Sequence, residues 1–349
     1  MIQAEVLFQK PWAELQAMAW HVRRTRHPDT LMCAVPGARR YVTERYTNTP
    51  HHFAAISLTG RSCELMCDHC RGRLLQTMYP AHTPDALLAL GQRLLTRGCT
   101  GVLISGGADS NGAVPLKPHL EAIGQLKEWG LRVIVHTGLP DAETIAGLKA
   151  AGVDQVLFDV IGDRDTIHQV LHLNHTPEDY AAALRQIREV GIPVAPHVVI
   201  GLHYGTLRGE LNALEIIRQA GVDVIVLVVL RPLPHTPMRA APLIPPEVVG
   251  RLAAVARLLC PDAYLTLGCA RPVGPSKLEM ERLALLAGVN GIAYPDPSSV
   301  KTAEELKLKA RFIESCCTLG TPVHAGGQPA LAPQAQFQPS AWVVTSSNG

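Results

Sequence analysis

The chain has 349 residues, 47% of them hydrophobic and 18% charged, with a formal net charge of +2 when histidines are neutral. That is enough apolar content for one large buried core and too little excess charge to attract nucleic acid or an anionic membrane surface, so neither is expected as a partner. No run is long and apolar enough to span a bilayer, and the amino terminus MIQAEVLFQKPWAEL has no signal-peptide pattern. A cytoplasmic protein is expected, its nine cysteines reduced or metal-bound rather than paired in disulfides.

In chain order, residues 10–27 predict an amphipathic helix, and residues 31–52, with MCAVPGARRY, a link placed to act as a lid or a first contact with substrate. Residues 1–52 are expected to lie outside the main domain. Residues 53–59, FAAISLT, are apolar and partly β-branched and are closed by Gly60, which predicts a buried strand feeding the loop SCELMCDHCRG. Cys63, Cys67 and Cys70 of that loop have the spacing C-x3-C-x2-C. Such a loop brings three thiolates around one iron–sulfur cube and leaves the fourth iron without a protein ligand. The open iron suits S-adenosylmethionine, whose amino and carboxylate groups chelate it; an electron from the cluster then splits the sulfonium and releases a 5′-deoxyadenosyl radical. Two other readings stand beside this one. Crowded thiols also bind zinc, with His69 as a further donor, although zinc sites usually pair C-x2-C units and only one occurs here; buried structural thiols are the third reading.

From there, short apolar runs ending at Ser105, His136, Asp159, Ile200, Leu230, Gly268 and Tyr294 alternate with helical patterns over residues 84–97, 116–129, 141–151, 177–190, 207–220, 246–259 and 277–287. Repeated βα units with near-continuous apolar strands mean a parallel sheet covered on both faces. With the first strand this makes eight, and predicts an α/β protein with a closed (β/α)8 TIM-type barrel over residues 53–324 behind an N-terminal helical extension. Residues 325–349, rich in Pro, Gln, Gly and Ser, are expected to be a flexible tail without chemistry.

Barrel enzymes keep their sites on the loops after the strands. The turn SGGADSNG holds Ser105, Gly106 and Gly107, and glycines there let backbone approach a ligand closely or simply close a tight turn. Asp159 ends the fourth strand, placed to accept hydrogen bonds from a diol, to cap a helix or to pair with a cation. His197 and His203 flank the end of the fifth strand; a barrel histidine is more often a hydrogen-bonded structural group than a base. Of the remaining cysteines, Cys99 and Cys260 fall between a helix and the next strand, and are expected as core thiols at the opposite, stability face. Cys269 follows the seventh strand, next but one to Arg271, and Cys316 and Cys317 are adjacent near the end of the last predicted helix.

At SLTGRSCELMCDHCRGRLLQTM the chain resembles the radical SAM superfamily, whose cluster loop follows the first barrel strand. LGCARPVGPSKLEMERLALLAGVNGIAYP, from Leu267, resembles the last third of proteins related to biotin and lipoyl synthases, and together with CAVPGARRY it is most similar to the two-component, archaeal-type lipoyl synthases, up to about Leu319. The resemblance implies that Ser105, Gly106 and Gly107 meet the amino group of the methionyl moiety, Asp159 holds the ribose diol, and Ile200 and Gly201 pack on the adenine. His69 counts with these cofactor-binding residues, and RPLPHTPM, residues 231–238, is similar to a loop that closes over the cofactor. Biotin synthase relatives pair an arginine with the SAM carboxylate; His175 holds that place here, with Arg185 as another candidate. The implied activity is sulfur insertion into a protein-bound octanoyl chain. Lipoyl synthases consume an auxiliary cluster as the sulfur donor, for which Cys33, Cys269, Cys316 and Cys317 are the candidate ligands, although a barrel helix running back toward the bottom would carry Cys316 and Cys317 away from Cys269. Implied partners are an electron donor protein, a second radical SAM subunit and an octanoylated carrier domain. The alternatives are another biotin synthase-like radical reaction on a small molecule, and a non-catalytic protein that delivers iron, sulfur or electrons.

Overall fold

Eleven parallel strands build one sheet in the computed structural model, which describes residues 3–320; the tail expected at 325–349 lies outside the described residues. The strands are β1 (Thr30–Ala34), β2 (Phe53–Ser57), β3 (Tyr79–Pro80), β4 (Gly101–Ser105), β5 (Arg132–His136), β6 (Gln155–Asp159), β7 (Val194–Ile200), β8 (Val224–Val229), β9 (Tyr264–Leu267), β10 (Gly291–Ala293) and β11 (Lys309–Ile313). Their order is β11-β1-β10-β9-β8-β7-β6-β5-β4-β2-β3. All eight expected strands are present, as β2 and β4 to β10, in chain order and joined by helices.

The period of two in each strand sorts the core into two layers. In β8, Val224 and Val226 join the cluster inside the curled sheet, whereas Ile225, Leu227 and Val229 pack against the helices outside. The inner cluster draws on nearly every strand, Ala34, Phe53, Ile134, Leu157, Ala195, Tyr264 and Ile313 among them, so the sheet curls into a TIM-like half-barrel, with no pairing between its edge strands β11 and β3 among the described residues. Glu314, just after β11, ties that edge of the sheet to the link ahead of β2. Its Oε1 accepts from Tyr46 Oη at 3.0 Å and from Thr49 N at 3.0 Å, and its Oε2 lies 3.6 Å from His52 Nδ1 at the entry to β2.

Three strands lie beyond the expected eight: β1, β11 and the two-residue β3, which pairs with β2. β1 runs between β10 and β11, with Cys33 opposite Ile292 on one side and Phe312 on the other. Residues 30–34 therefore belong to the barrel sheet, which corrects the boundary drawn at residue 52. TLMCA is short enough to vanish into its link, and KARFI alternates charged with apolar residues as an exposed edge strand does. Ahead of β1, the helix Trp12–Arg26 buries Leu15, Ala19 and Arg23. The Arg23 guanidinium donates to the carbonyls of Pro28 and Thr30 at 2.8 Å each, and Arg257 to that of Ala263 at 2.8 Å. These fully buried cations gather carbonyls where the strands begin, leaving the opposite rim for chemistry.

Candidate active site

The cysteine loop follows β2 and is seated on the turn after β4. Thr59 Oγ1 donates to Ser62 O at 2.7 Å and accepts from Gly107 N at 2.6 Å. A Cβ on Gly107 would stand 2.0 Å from Ser62 O and 2.6 Å from Cys63 Cα, so only glycine lets the two loops lie together. The close approach expected at Ser105, Gly106 and Gly107 is thus made first to the cysteine loop's own backbone. Left-handed backbone at Met66 (φ 44°) and Arg71 (φ 47°) curls the loop, and Cys67 O accepts from both Cys70 N (3.1 Å) and Arg71 N (2.9 Å). Burial, reinforced by the neighbouring thiols, pushes Cys67 up to about 12, and burial pushes Cys70 up to about 11. Such thiols keep their protons until a positive centre displaces them. Among the described residues no three His, Cys, Asp or Glu side chains converge as one metal ion demands. A cube takes each thiolate on a different iron and needs proximity rather than convergence, so the thiols crowded into this seat fit a cluster.

Asp68, between two of the thiols, anchors the loop to the barrel. It accepts from Tyr204 Oη at 2.6 Å, Arg71 NH2 at 3.0 Å and His172 Nε2 at 3.1 Å, while its own N–H donates to Val170 O at 2.9 Å. Burial alone would raise its carboxyl, but Tyr204 and His172 hold it below the usual range. Asp68 was not among the expected site residues, although a carboxylate inside a cysteine loop is a signal legible in the sequence. Next to it, His69 Nδ1 is buried without a hydrogen-bond partner, and burial keeps the ring neutral within the field of Asp159.

Asp159 points into the barrel as expected, but into a group of histidines. His136 Nε2 lies 3.6 Å from its Oδ1, and His197 is its register partner on β7. Burial works against the carboxylate, yet His136, His197 and His69 together hold it down at about 2. In return Asp159 raises His136 against the effect of burial, whereas His197, desolvated and facing His136, is pushed down to about 4. The Asp159 and His136 side chains keep 42% and 27% exposure although they face inward, so the lumen is open to solvent here. His136 was not singled out from sequence; its phase with inward Ile134 on β5 was the available signal.

Three expected cofactor contacts are placed elsewhere. On β7, Ala195 and His197 face inward, and Ile200 has the opposite phase: it is fully buried in the outer core, away from the lumen. Gly201 turns the chain at φ +79° and donates to Glu210 Oε1 at 2.7 Å; a Cβ there would meet Ile244 at 2.5 Å. His175 has both nitrogens engaged, with Asp179 Oδ2 and Asn111 O at 3.3 Å each, at the start of the helix Pro177–Glu189. It bridges that helix to the glycine-rich turn rather than offering itself to a carboxylate, and Arg185 is exposed on the same helix. His203 hydrogen-bonds Thr166 at 3.1 Å, as a structural histidine would.

The second thiol group is assembled from distant segments. No α-helix carries Cys316 and Cys317 back toward the bottom: after β11 the chain folds into the barrel, and the single 3-10 turn Cys317–Leu319 packs in the inner cluster beside Tyr264. This overturns the geometric objection to bringing them near Cys269. Cys269 stands exposed after β9, within electrostatic reach of Cys316, Arg39 and Arg271. A hydrogen bond from Cys317 lowers Cys316 to about 7, while Cys317 rises well above the thiol range. Buried Arg271 fixes the turn by donating to Gly268 O and Ala293 O at 2.6 Å each and by pairing with buried Glu281. Cys33 does not join them. It lies on the outer face of β1, fully buried near Glu281, with burial raising it to about 12, so it leaves the candidate ligand set. Cys99 and Cys260 lie just ahead of β4 and β9, at the strand-entry end as expected.

Residues 57–208 match the radical SAM superfamily. The biotin synthase of Aromatoleum aromaticum is 24% identical over 308 residues, spanning 85% of this chain and 86% of that protein. That of Neorickettsia sennetsu is 22% identical over 326 residues, 89% and 93% of the two chains, and that of Dechloromonas aromatica 28% over 205 residues, 58% and 60%. Among solved structures, methylornithine synthase superposes with a TM-score of 0.58 at 16% identity, over 88% of this chain and 93% of that one. The FeFe-hydrogenase maturase HydG from Carboxydothermus hydrogenoformans does so with 0.60 at 12% identity, over 88% and 75%. At such identities the superpositions speak for the TIM-like α/β fold alone.

Proposed function

The chain is a radical SAM protein, matched over residues 57–208, and from that premise we propose that it inserts sulfur at unactivated carbons of an octanoyl chain held on a carrier protein. The observation that carries this reading is the position of the second thiol group. Cys70 lies in the field of Asp159, Asp159 pairs with His136, and His136 in turn feels Cys316. A substrate in the lumen would lie between the radical source at one thiol set and a sulfur source at the other.

When bound at Cys63, Cys67 and Cys70, the 4Fe-4S cluster with SAM supplies the electron and the 5′-deoxyadenosyl radical. Thr59, Gly107 and Asp68 hold that loop against the barrel, where its thiols would carry the cluster. Leu103 and Val228, half-buried beside the packed Ile134, Leu157 and Val226, offer apolar surface that suits an acyl chain. Cys269, Cys316 and Cys317 would hold the auxiliary cluster, with Cys316 the readiest of the adjacent pair to ionise. An electron donor protein, a second radical SAM subunit and an octanoylated carrier domain complete the proposed system, in the cytoplasm. The second reading, thiolation or another radical reaction on a small molecule, is favoured by the biotin synthases among the relatives.

Anaerobic reconstitution with iron and sulfide, followed by reductant, SAM and an octanoylated carrier domain, tests the proposal. Formation of 5′-deoxyadenosine together with a sulfur mass gain on the carrier is expected. 5′-Deoxyadenosine without any carrier product would move the assignment to the small-molecule reading; no SAM cleavage would leave a protein that delivers iron, sulfur or electrons.

A further inference from the structure

The cysteine loop has two faces. On one, His69 and Cys70 feel the charge of Asp159 in the lumen. The other is built around Gly72, at φ +70°. A Cβ there would lie 3.4 Å from Arg61 O, 3.8 Å from Cys63 Cβ and 3.9 Å from Met66 Sδ, so Arg61, Met66 and the start of the 3-10 turn Arg73–Thr77 share one surface with Cys63 at its base. Met66 and Leu74 leave 40% and 55% of their surface in water. The guanidinium groups of Arg61 and Arg73 have no ion-pair or hydrogen-bond partner among the described residues. The acids of the loop are turned elsewhere: Glu64 Oε2 accepts from Ser110 N at 2.9 Å, and Asp68 is held by Tyr204, His172 and Arg71. The face is therefore positive with an apolar centre, and methionine and arginine are residues that protein interfaces favour.

A cluster on this loop must receive an electron, and the lumenal side is where SAM and substrate would bind. We infer that the outward face formed by Arg61, Met66, Arg73 and Leu74 is the docking surface for an acidic one-electron carrier protein. The carrier gives up one electron and the cluster takes it; no bond and no proton moves. Carboxylates around the carrier's exposed centre meet Arg61 and Arg73, whose charge steers the encounter, and Met66 and Leu74 supply the apolar contact that holds it. Cys63, at the base of this surface, makes the path to the cluster short. The inference stands on the cysteine loop and not on the octanoyl reading.

Calorimetry on the reconstituted protein tests the surface, with a strongly acidic plant-type 2Fe–2S ferredoxin whose iron is replaced by gallium, so that it binds without giving an electron. The wild type should bind it in low salt and lose affinity as salt rises. Arg61→Glu/Arg73→Glu should weaken binding by about tenfold in low salt and flatten the salt dependence, and Leu74→Ala should weaken it by about threefold at every salt concentration. Reduction of the cluster by native reduced ferredoxin, followed by bleaching of its visible absorbance, should slow in the same order. Photoreduced deazaflavin, a small uncharged donor, should reduce every variant at the wild-type rate. Wild-type affinity or full-rate reduction by ferredoxin in Arg61→Glu/Arg73→Glu overturns the inference. So does a wild type that takes electrons from deazaflavin but binds no ferredoxin, or one that forms a dimer dissolved by Leu74→Ala, which gives the face to a second copy of this chain. If deazaflavin does not reduce the protein either, the cysteine loop holds no reducible cluster and the inference falls with that reading.

Discussion

The two thiol groups are built in opposite ways. Cys63, Cys67 and Cys70 lie within one loop, and their proximity is local: two left-handed residues and a glycine seat suffice to bring them together. Cys269, Cys316 and Cys317 come from the ends of different strands, and only the turn of the chain into the barrel after β11 makes neighbours of them. A local site survives errors in the reading of the fold, whereas a tertiary one is only as legible as the topology that assembles it.

The largest effect should come from the local group. Cys67→Ala should abolish 5′-deoxyadenosine formation and leave the far-ultraviolet dichroism unchanged, because the loop lies on the rim and hangs on Asp68 and Thr59 rather than on the cysteine itself. Undiminished SAM cleavage by this variant would remove the loop from the chemistry. Next comes independence of the two groups. With Cys63, Cys67 and Cys70 all changed to Ala, the reconstituted protein should still hold iron and sulfide, and further change of Cys269 or Cys316 should remove them. A triple variant without iron would mean that the interior thiols hold no cluster.

Gly107→Val attacks the seat. A side chain whose Cβ would fall 2.0 Å from Ser62 O must push the cysteine loop aside. A displacement on the ångström scale should slow SAM cleavage by about a hundredfold while the second group keeps its iron. Unchanged cleavage would show that the loop does not depend on this turn for its position.

The expectations drawn from sequence divide along the same line. Cys63, Cys67 and Cys70 and the eight strands were legible because a short spacing and a period of two are local properties. β1 was missed because TLMCA disappears into its link, and β11 because the edge strand KARFI alternates charged with apolar residues and lacks a continuous apolar run. Ile200 was misplaced by one residue of strand phase, which is enough to carry a side chain from lumen to helix layer. His136 and Asp68 went unnoticed since a single polar residue acquires meaning only from what stands opposite, here Asp159 for one and Tyr204 and His172 for the other.

A smaller effect concerns what holds the second group in place. Glu281, fully buried, pairs with Arg271, with Lys277 Nζ at 2.6 Å, and accepts from Ser299 Oγ at 2.6 Å. Glu281→Gln leaves Arg271 without its counter-charge and should cost about 3 kcal/mol in urea unfolding. Burial opposes ionisation of Glu281, but Arg271 and Lys277 hold its carboxyl below the ordinary 4.5. The stabilisation is therefore complete above that value and is lost as pH falls through the lower folded value, so the wild type should weaken on acidification there and the variant should lack that step. A parallel acid limb in both proteins would assign the effect to other carboxylates.

The smallest effect is expected at Cys33, and it separates the two senses in which a cysteine can be buried. Its thiol sits on the helix side of β1 at 0% exposure, whereas Cys316 and Cys317 face the lumen from the far side of the same sheet. Cys33→Ala removes only a sulfur's packing and should cost about 1 kcal/mol, with the iron content of the triple variant unchanged. Cys33→Ser should cost more, because the Leu31 carbonyl, 4.0 Å from the thiol, lies too far to satisfy a hydroxyl, which must be desolvated. If Cys33→Ala instead stripped iron from the triple variant, a thiol from the outer layer would have to reach through the sheet, and the division of β1 into an inner face of Met32 and Ala34 and an outer face of Leu31 and Cys33 would be wrong.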